Sequence, residues 1–214
     1  MHILILTIGT RGDVQPYVAL GRGLVDAGHR VTLCASARFQ DFVRSNGLEY
    51  AHMNDDMLKF METEDGRIAM ENTGNLYEFI RTAIRLMPKM GGMMRKQIED
   101  LWTSTEQANP DLILFHPKAI GAKQFAEKLG IPCVLAFYLP MYVATAEAPA
   151  MGFPSWPLGG WYNRLTYRLI DTATSMATRK YAGPWLKDHG FPVAGGRFLQ
   201  RADGSTIPVA HAFS

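Results

Sequence analysis

The feature that most constrains this chain is its opening, Met1 to Val31, MHILILTIGTRGDVQPYVALGRGLVDAGHRV. Ile3 to Ile8 is an apolar run with the branching of a strand buried on both faces. A glycine turn follows, Gly9-Thr10-Arg11-Gly12, then Asp13, Pro16 and a helical pattern through Val14, Tyr17, Val18, Leu20, Gly21, Leu24 and Val25. Pro in the first turn and Gly28 just past the end are the punctuation of a helix. Strand, turn and helix in this order predict the first unit of an open parallel sheet, whose ligands collect at the carboxyl ends of the strands. The turn therefore brings an arginine, a carboxylate and free backbone amides to that rim. Amides at a helix N-terminus favour an anion such as phosphate. Asp13 in the same place either works as a carboxylate or only caps the helix, with Arg11 as a surface residue.

The alternation continues. Arg30 to Ala35 reads as a second strand, Arg38 to Ser45 as a helix closed by Asn46-Gly47, and Leu48 to Met53 as a third strand. This βαβαβ order with short links predicts a Rossmann-like, doubly wound parallel α/β sheet. The polar stretch at about 54–74, with scattered methionines, reads as a mobile insertion holding one short helix. Two helices are expected next, Leu76 to Met87 and Met93 to Gln107, separated by Pro88 and Gly91-Gly92. Arg81, Arg85 and Lys89 share one face of the first, which suits peripheral contact with an anionic membrane or simply a solvated surface. The methionines concentrated here, among them Met53, Met57, Met61, Met93 and Met94, suit either an irregular apolar partner or ordinary core packing.

In the second half, strand Asp111 to Phe115 carries His116 and Pro117 at its carboxyl end. Helix Ala119 to Leu129, strand Ile131 to Phe137, a helix from about Trp161 to Tyr181 and a last strand, Ile207 to Phe213, complete the pattern. The loop after Phe137 holds Tyr138, Tyr142, Phe153, Trp156, Trp161 and Tyr162 among prolines. It is expected to wall an apolar ligand pocket or to cover the sheet edge. His116 at the rim either contacts a ligand or caps the following helix.

Length and composition bound the rest. The 214 residues suit one α/β domain, and a net charge of +2 gives no argument for nucleic acid as a partner. Cys34 and Cys133 sit in apolar runs, as core residues rather than a disulfide, which suits a reducing cytoplasm. The first strand leaves no room for a secretory signal, and the apolar run Ile131 to Ala144 is too short for a bilayer and holds Pro132 and Pro140. A soluble, cytoplasmic protein is expected, with peripheral membrane attachment open. The glycine turn fails the dinucleotide pattern, since Arg11 and Val14 occupy two of its glycine positions. Neither a Walker lysine, a metal-ligand spacing nor a nucleophile elbow is present in the sequence.

The string Ile8-Gly9-Thr10-Arg11-Gly12-Asp13-Val14-Gln15-Pro16, with Leu20-Gly21 and Ala27-Gly28-His29-Arg30-Val31, resembles the opening of a glycosyltransferase family. That family contains the sterol glucosyltransferases and the glycopeptide-antibiotic glucosyltransferases, both of GT-B architecture. The resemblance continues at His116-Pro117-Lys118-Ala119, Leu129-Gly130-Ile131-Pro132, Ala136-Phe137-Tyr138-Leu139-Pro140 and Ile207-Pro208-Val209, and so spans nearly the whole chain. It implies that residues 1–214 are the acceptor-binding, N-terminal lobe of a two-lobed enzyme. The implied chemistry is inverting, metal-independent transfer of a sugar from a UDP- or TDP-sugar to a hydroxyl, with no other cofactor. Asp13 aligns with the catalytic base, while Gly9, Thr10, Arg11 and Gly12 fall at the donor diphosphate.

His116, Phe137, Tyr138, Tyr142 and Trp156 are assigned to a lipophilic, sterol- or lipid-like acceptor. The chain stops after the strand that closes the lobe in the family. The nucleotide-sugar lobe is thus expected to be missing or to come from a separate chain, and the chain alone is expected to fold but to transfer little or no sugar. The other reading is a non-catalytic module of this fold that holds an apolar ligand or docks a partner; a base beside an arginine favours the enzyme, because binding alone needs no base.

Overall fold

Six parallel strands form one sheet in the order β3-β2-β1-β4-β5-β6. They are β1 (His2–Leu6), β2 (Arg30–Ser36), β3 (Glu49–Met53), β4 (Leu112–Phe115), β5 (Cys133–Phe137) and β6 (Val209–His211). The computed structural model describes residues 1–64, 76–139, 141–192 and 196–211, with the backbone alone for 76–90. The order reverses direction at β1, so the crevice beyond the carboxyl ends of β1 and β4 is the topological switch point where ligands of such sheets bind. Register fixes that crevice: Leu6 pairs with Phe115, and the His116 amide donates to the Leu6 carbonyl at 2.9 Å.

The continuous apolar runs of the strands have their reason in burial on both faces. Along β1, Leu4 and Leu6 join one core with Ile113, Phe115, Leu135, Ile98, Leu101 and Phe125. Ile3 and Ile5 join the other with Val31, Leu33, Val14, Val18 and Val43. Each such side chain contributes about 1.5–3 kcal/mol on burial. The second face is covered by α1 (Arg11–Asp26) and α2 (Gln40–Ser45), the first by α4 (Leu76–Ala108) and α5 (Ala122–Leu129). Both cysteines are buried and unpaired, as their apolar context predicts.

Three local readings are corrected. The helix predicted to break at Pro88 and Gly91-Gly92 runs on as the single 33-residue α4. A glycine in a helix costs only about 1 kcal/mol, and the fully buried Ile98 and Leu101 hold the far half of the helix on the sheet. The opening turn is shorter than expected: α1 begins at Arg11, with Thr10 as its N-cap, so Arg11 and Gly12 belong to the first helical turn. Helix α5 begins at Ala122 rather than Ala119, because Gly121 stands before it at φ +102°.

The start of the predicted insertion is a short helix, α3 (Asp56–Glu62). It is tied down by Lys96 to Asp56 at 2.7 Å, Arg38 to Glu62 at 2.6 Å, and the Asp100 carboxylate accepting from the Asn54 amide at 2.8 Å. The remainder of that insertion, Pro140, and the side chains of Arg81, Arg85 and Lys89 lie outside the described residues. Helix α6 (Gly160–Tyr181), followed by α7 (Gly183–Asp188), leads back to β6.

Candidate functional site

Asp13 occupies the third position of α1, and its two oxygens do different things. Oδ2 reaches back to the N-cap, where the Thr10 amide donates to it at 2.8 Å. This is half of a capping box, a structural use that fixes the carboxylate against the helix end. Oδ1 faces the switch point. There it accepts from Lys118 Nζ at 2.9 Å and from the Tyr138 hydroxyl at 2.9 Å. Lys118 follows β4 and Tyr138 follows β5, so three strand ends converge on one oxygen.

The site is closed but not sealed. The Asp13 side chain is 11% exposed, while that of Lys118 is 56% exposed. Burial pushes the Asp13 carboxyl up, but the Lys118 hydrogen bond and charge, with the Thr10 amide and Tyr138, outweigh it and hold the group below its ordinary value. Burial, and then the bond to the Asp13 carboxylate, push the Tyr138 hydroxyl up to about 12, so it stays a donor.

Gly9 makes the arrangement possible. It sits at φ +137°, and a Cβ added there would lie 2.0 Å from Asp13 Oδ2. Arg11 lies over the Phe42 ring at 5.0 Å and, with Thr10, borders a cavity of about 430 Å³ shared with Arg38, Phe39, Leu58 and Met61. Leu58 and Met61 come from α3, so part of the methionine-rich insertion does wall a space next to the turn.

His116 is 1% exposed. Its Nδ1 accepts from the Lys118 amide at 3.0 Å, which leaves the proton on Nε2. That nitrogen is 3.6 Å from Asp13 Oδ1, beyond hydrogen-bond reach, and has no other partner. Burial first, then the Lys118 charge, bring its pKa down to about 4, so the ring is neutral. It is held edge-on between Tyr17 and Phe137. The Tyr17 hydroxyl in turn donates to the Ala136 carbonyl, joining α1 to β5 behind the site.

Of the residues assigned to an acceptor, His116, Phe137 and Tyr138 thus form one cluster around Asp13, with His116 as packing rather than open surface. Phe137 and Tyr138 also border a small apolar groove of about 120 Å³. Tyr142 meets Phe137 edge-on at 6.0 Å but opens onto another cavity, of about 630 Å³, with Tyr167, Arg168 and Asp171. Trp156 is not brought to the cluster; it lies exposed against Tyr162. Lys118 carries no role in the sequence motif by itself; its position just past β4 is the signal that sets it opposite the β1 turn. Among the described residues no group of acidic, histidine and cysteine side chains could hold a metal ion.

Solved structures share this architecture. The glycotransferase of kitacinnamycin matches 90% of this chain and 42% of its own length at a TM-score of 0.53 and 19% identity. SsfS6, a glycosyltransferase of Streptomyces sp. SF2575, matches 90% and 48% at 0.52 and 22%. These likenesses show the Rossmann-like α/β fold of a GT-B lobe. Among curated proteins, the sterol 3-beta-glucosyltransferase of Neurospora crassa is 32% identical over the whole chain, and that of Aspergillus oryzae 34% identical over 87% of it. The chain spans only 13% of the length of either relative. Residues 3–147 match the glycosyltransferase family 28 N-terminal domain. With more than half of its length inside that match and its switch point built from the same stretch, the chain belongs to the glycosyltransferase family 28 N-terminal domain family.

Proposed function

We propose that this chain is the acceptor-binding half of an inverting, metal-independent glycosyltransferase, moving a sugar from a UDP- or TDP-sugar to a hydroxyl of a lipophilic, sterol-like acceptor. The observation that carries the reading is the divided use of Asp13: Oδ2 is anchored on the Thr10 amide, and Oδ1 is turned to the switch point. A carboxylate needed only as a helix cap has no reason to present its second oxygen there. In the reaction, Oδ1 takes the proton of the acceptor hydroxyl as that oxygen attacks the anomeric carbon. The bond from that carbon to the diphosphate breaks on the opposite side, and the nucleoside diphosphate leaves with the electron pair. Arg11 and the amides that open α1 offset its developing charge. The sterol glucosyltransferase relatives and the apolar walls near Asp13 (Phe137 and Tyr138 on one side, Phe39, Leu58 and Met61 beyond Thr10) support a lipophilic acceptor.

Lys118 is a positioning residue in this scheme. It keeps Asp13 ionised at rest and must swing off Oδ1 before an alcohol can take its place, which its exposed stem allows. In a two-lobed enzyme carrying this lobe, Lys118→Met is expected to move the acid limb of the pH profile of kcat/KM to higher pH. The sign follows from removing the cation that holds the carboxyl down, leaving burial to push it up. An acid limb that stays in place rules out Lys118 as the group that sets the charge of Asp13.

The closure of Oδ1 by Lys118 and Tyr138 is the one observation that favours a non-catalytic module instead. Calorimetry of this chain with a solubilised sterol and, separately, with UDP-glucose distinguishes the two. Sterol binding with no donor binding is the expected result for an acceptor lobe. Heat from neither ligand overturns it in favour of a docking role.

A further inference from the structure

Helix α5 opens without the devices that normally satisfy a helix N-terminus. Its N-cap is Gly121, which has no side chain to offer, and its first turn holds no acid. The first-turn amides of Lys123 and Gln124 make no hydrogen bond among the described residues. The side chains add to the imbalance. Gln124 is 5% exposed, and its amide group has no partner among the described residues. Lys123 is 6% exposed. Its Nζ donates to the Gln200 carbonyl at 2.7 Å and to the Arg197 carbonyl at 3.3 Å, which leaves one N–H over. Burial pulls the Lys123 ammonium below its ordinary pKa, the mark of a desolvated charge. From α6, Ser175 brings a buried Oγ that also has no partner among the described residues.

Lys123, Gln124 and Ser175 line one cavity, enclosed by α5, α6, α7 and the segment at 196–198, with a free space of about 20 Å³. Among the described residues no acidic side chain lines it, while Arg179 and Arg197 do. The acids that act on Lys123 are turned elsewhere: Glu127 accepts from the Ala202 amide at 2.9 Å and Asp171 from the Phe198 amide at 3.1 Å.

We propose that this cavity is a halide site, holding one chloride ion on the N-terminus of α5. The sign of the ligand follows from the wall. Buried donors without an acceptor are costly, and here two backbone amides, the Gln124 amide, the Ser175 hydroxyl and the third N–H of Lys123 belong to one enclosed space. The helix dipole and the Lys123 charge both favour an anion there. A water molecule would leave that charge uncompensated. Size then selects among anions. The space takes one particle of about the size of a water, which a monatomic ion fits and a phosphate or carboxylate does not. The ion ties α5 and α6 to the segment that leads into β6. The inference stands apart from the sugar-transfer reading and uses none of the residues around Asp13.

The test compares thermal melts of the chain in sodium chloride and in sodium gluconate at equal ionic strength, so that screening is the same in both. Chloride is expected to raise the melting temperature by about 2–4 °C. The double substitution Gln124→Leu, Ser175→Ala removes two donors and should lose at least about half of that rise. Ser175→Ala alone removes only an unpaired hydroxyl, so it keeps the fold, and it should lose a smaller part. Crystals grown in sodium bromide should show a bromine anomalous peak in the cavity. Equal melting in the two salts overturns the proposal. So does a rise that neither variant diminishes, which would place the ion elsewhere, or a bromide crystal with a water and no bromine peak at the start of α5.

Discussion

Asp13→Asn is expected to lower sugar transfer by about 10²–10⁴-fold in a two-lobed enzyme carrying this lobe, with acceptor affinity nearly unchanged. The amide retains one acceptor oxygen, which can hold the Thr10 amide as Oδ2 does now. Its NH₂ then meets Tyr138, whose hydroxyl can turn to accept, and Lys118 moves into solvent. What is lost is the charge that takes the proton. The cost in stability should be small, about 1 kcal/mol, and dependent on pH. Asp13 is held below its ordinary value of 3.8 in the folded chain, so its ionisation stabilises the fold fully above that pH. The stabilisation fades as pH falls through the lower folded value, and the gap in melting temperature between the two proteins should close with it. Kinetics at saturating donor and thermal melts across pH measure both. Turnover at the unaltered level removes the assignment of Asp13 as base, whatever the melts show.

The sequence made the fold legible because each strand is an unbroken apolar run ended by a turn residue, a pattern that burial on both faces demands. Ile3 to Leu6 and Val31 to Ala35 could be nothing else once helices were seen between them. Helix α4 is not legible for the opposite reason: Pro88 and Gly91-Gly92 are local signals of a break, and the packing of Ile98 and Leu101 on the sheet is not local. The site divides in the same way. Gly9 to Asp13 could be placed at the rim from the first crossover alone. The partner that governs its charge, Lys118, is 105 positions away and becomes a neighbour only through the register of β1 with β4. The sequence pattern places His116 at a strand end, but whether a rim side chain faces solvent or is folded under its aromatic neighbours depends on Tyr17 and Phe137, on two other elements. Only the aromatic composition of its loop links Trp156 to that cluster, and composition carries no direction.

Gly9→Ala should be the second most damaging change, because it attacks the site and the backbone together. At φ +137° a side chain is strained, at about 1–3 kcal/mol. The new methyl would also lie 2.0 Å from Oδ2 and 2.4 Å from Cγ of Asp13, and both cannot occupy that space. Either the turn shifts or the carboxylate is driven off the Thr10 amide, which releases Oδ1 from its aim at the switch point. A displacement of about 1 Å at a reacting group costs about 10²-fold in rate, so transfer should fall by at least that much even in protein that stays folded. A double-mutant cycle separates the two causes. Once Asp13→Ala has removed the carboxylate, adding Gly9→Ala should destabilise much less than it does alone, because only the backbone strain is left. Full additivity of the two losses in melting experiments would mean that the glycine serves the turn and not the carboxylate, and the close fit between Gly9 and Asp13 would then have no part in holding the base.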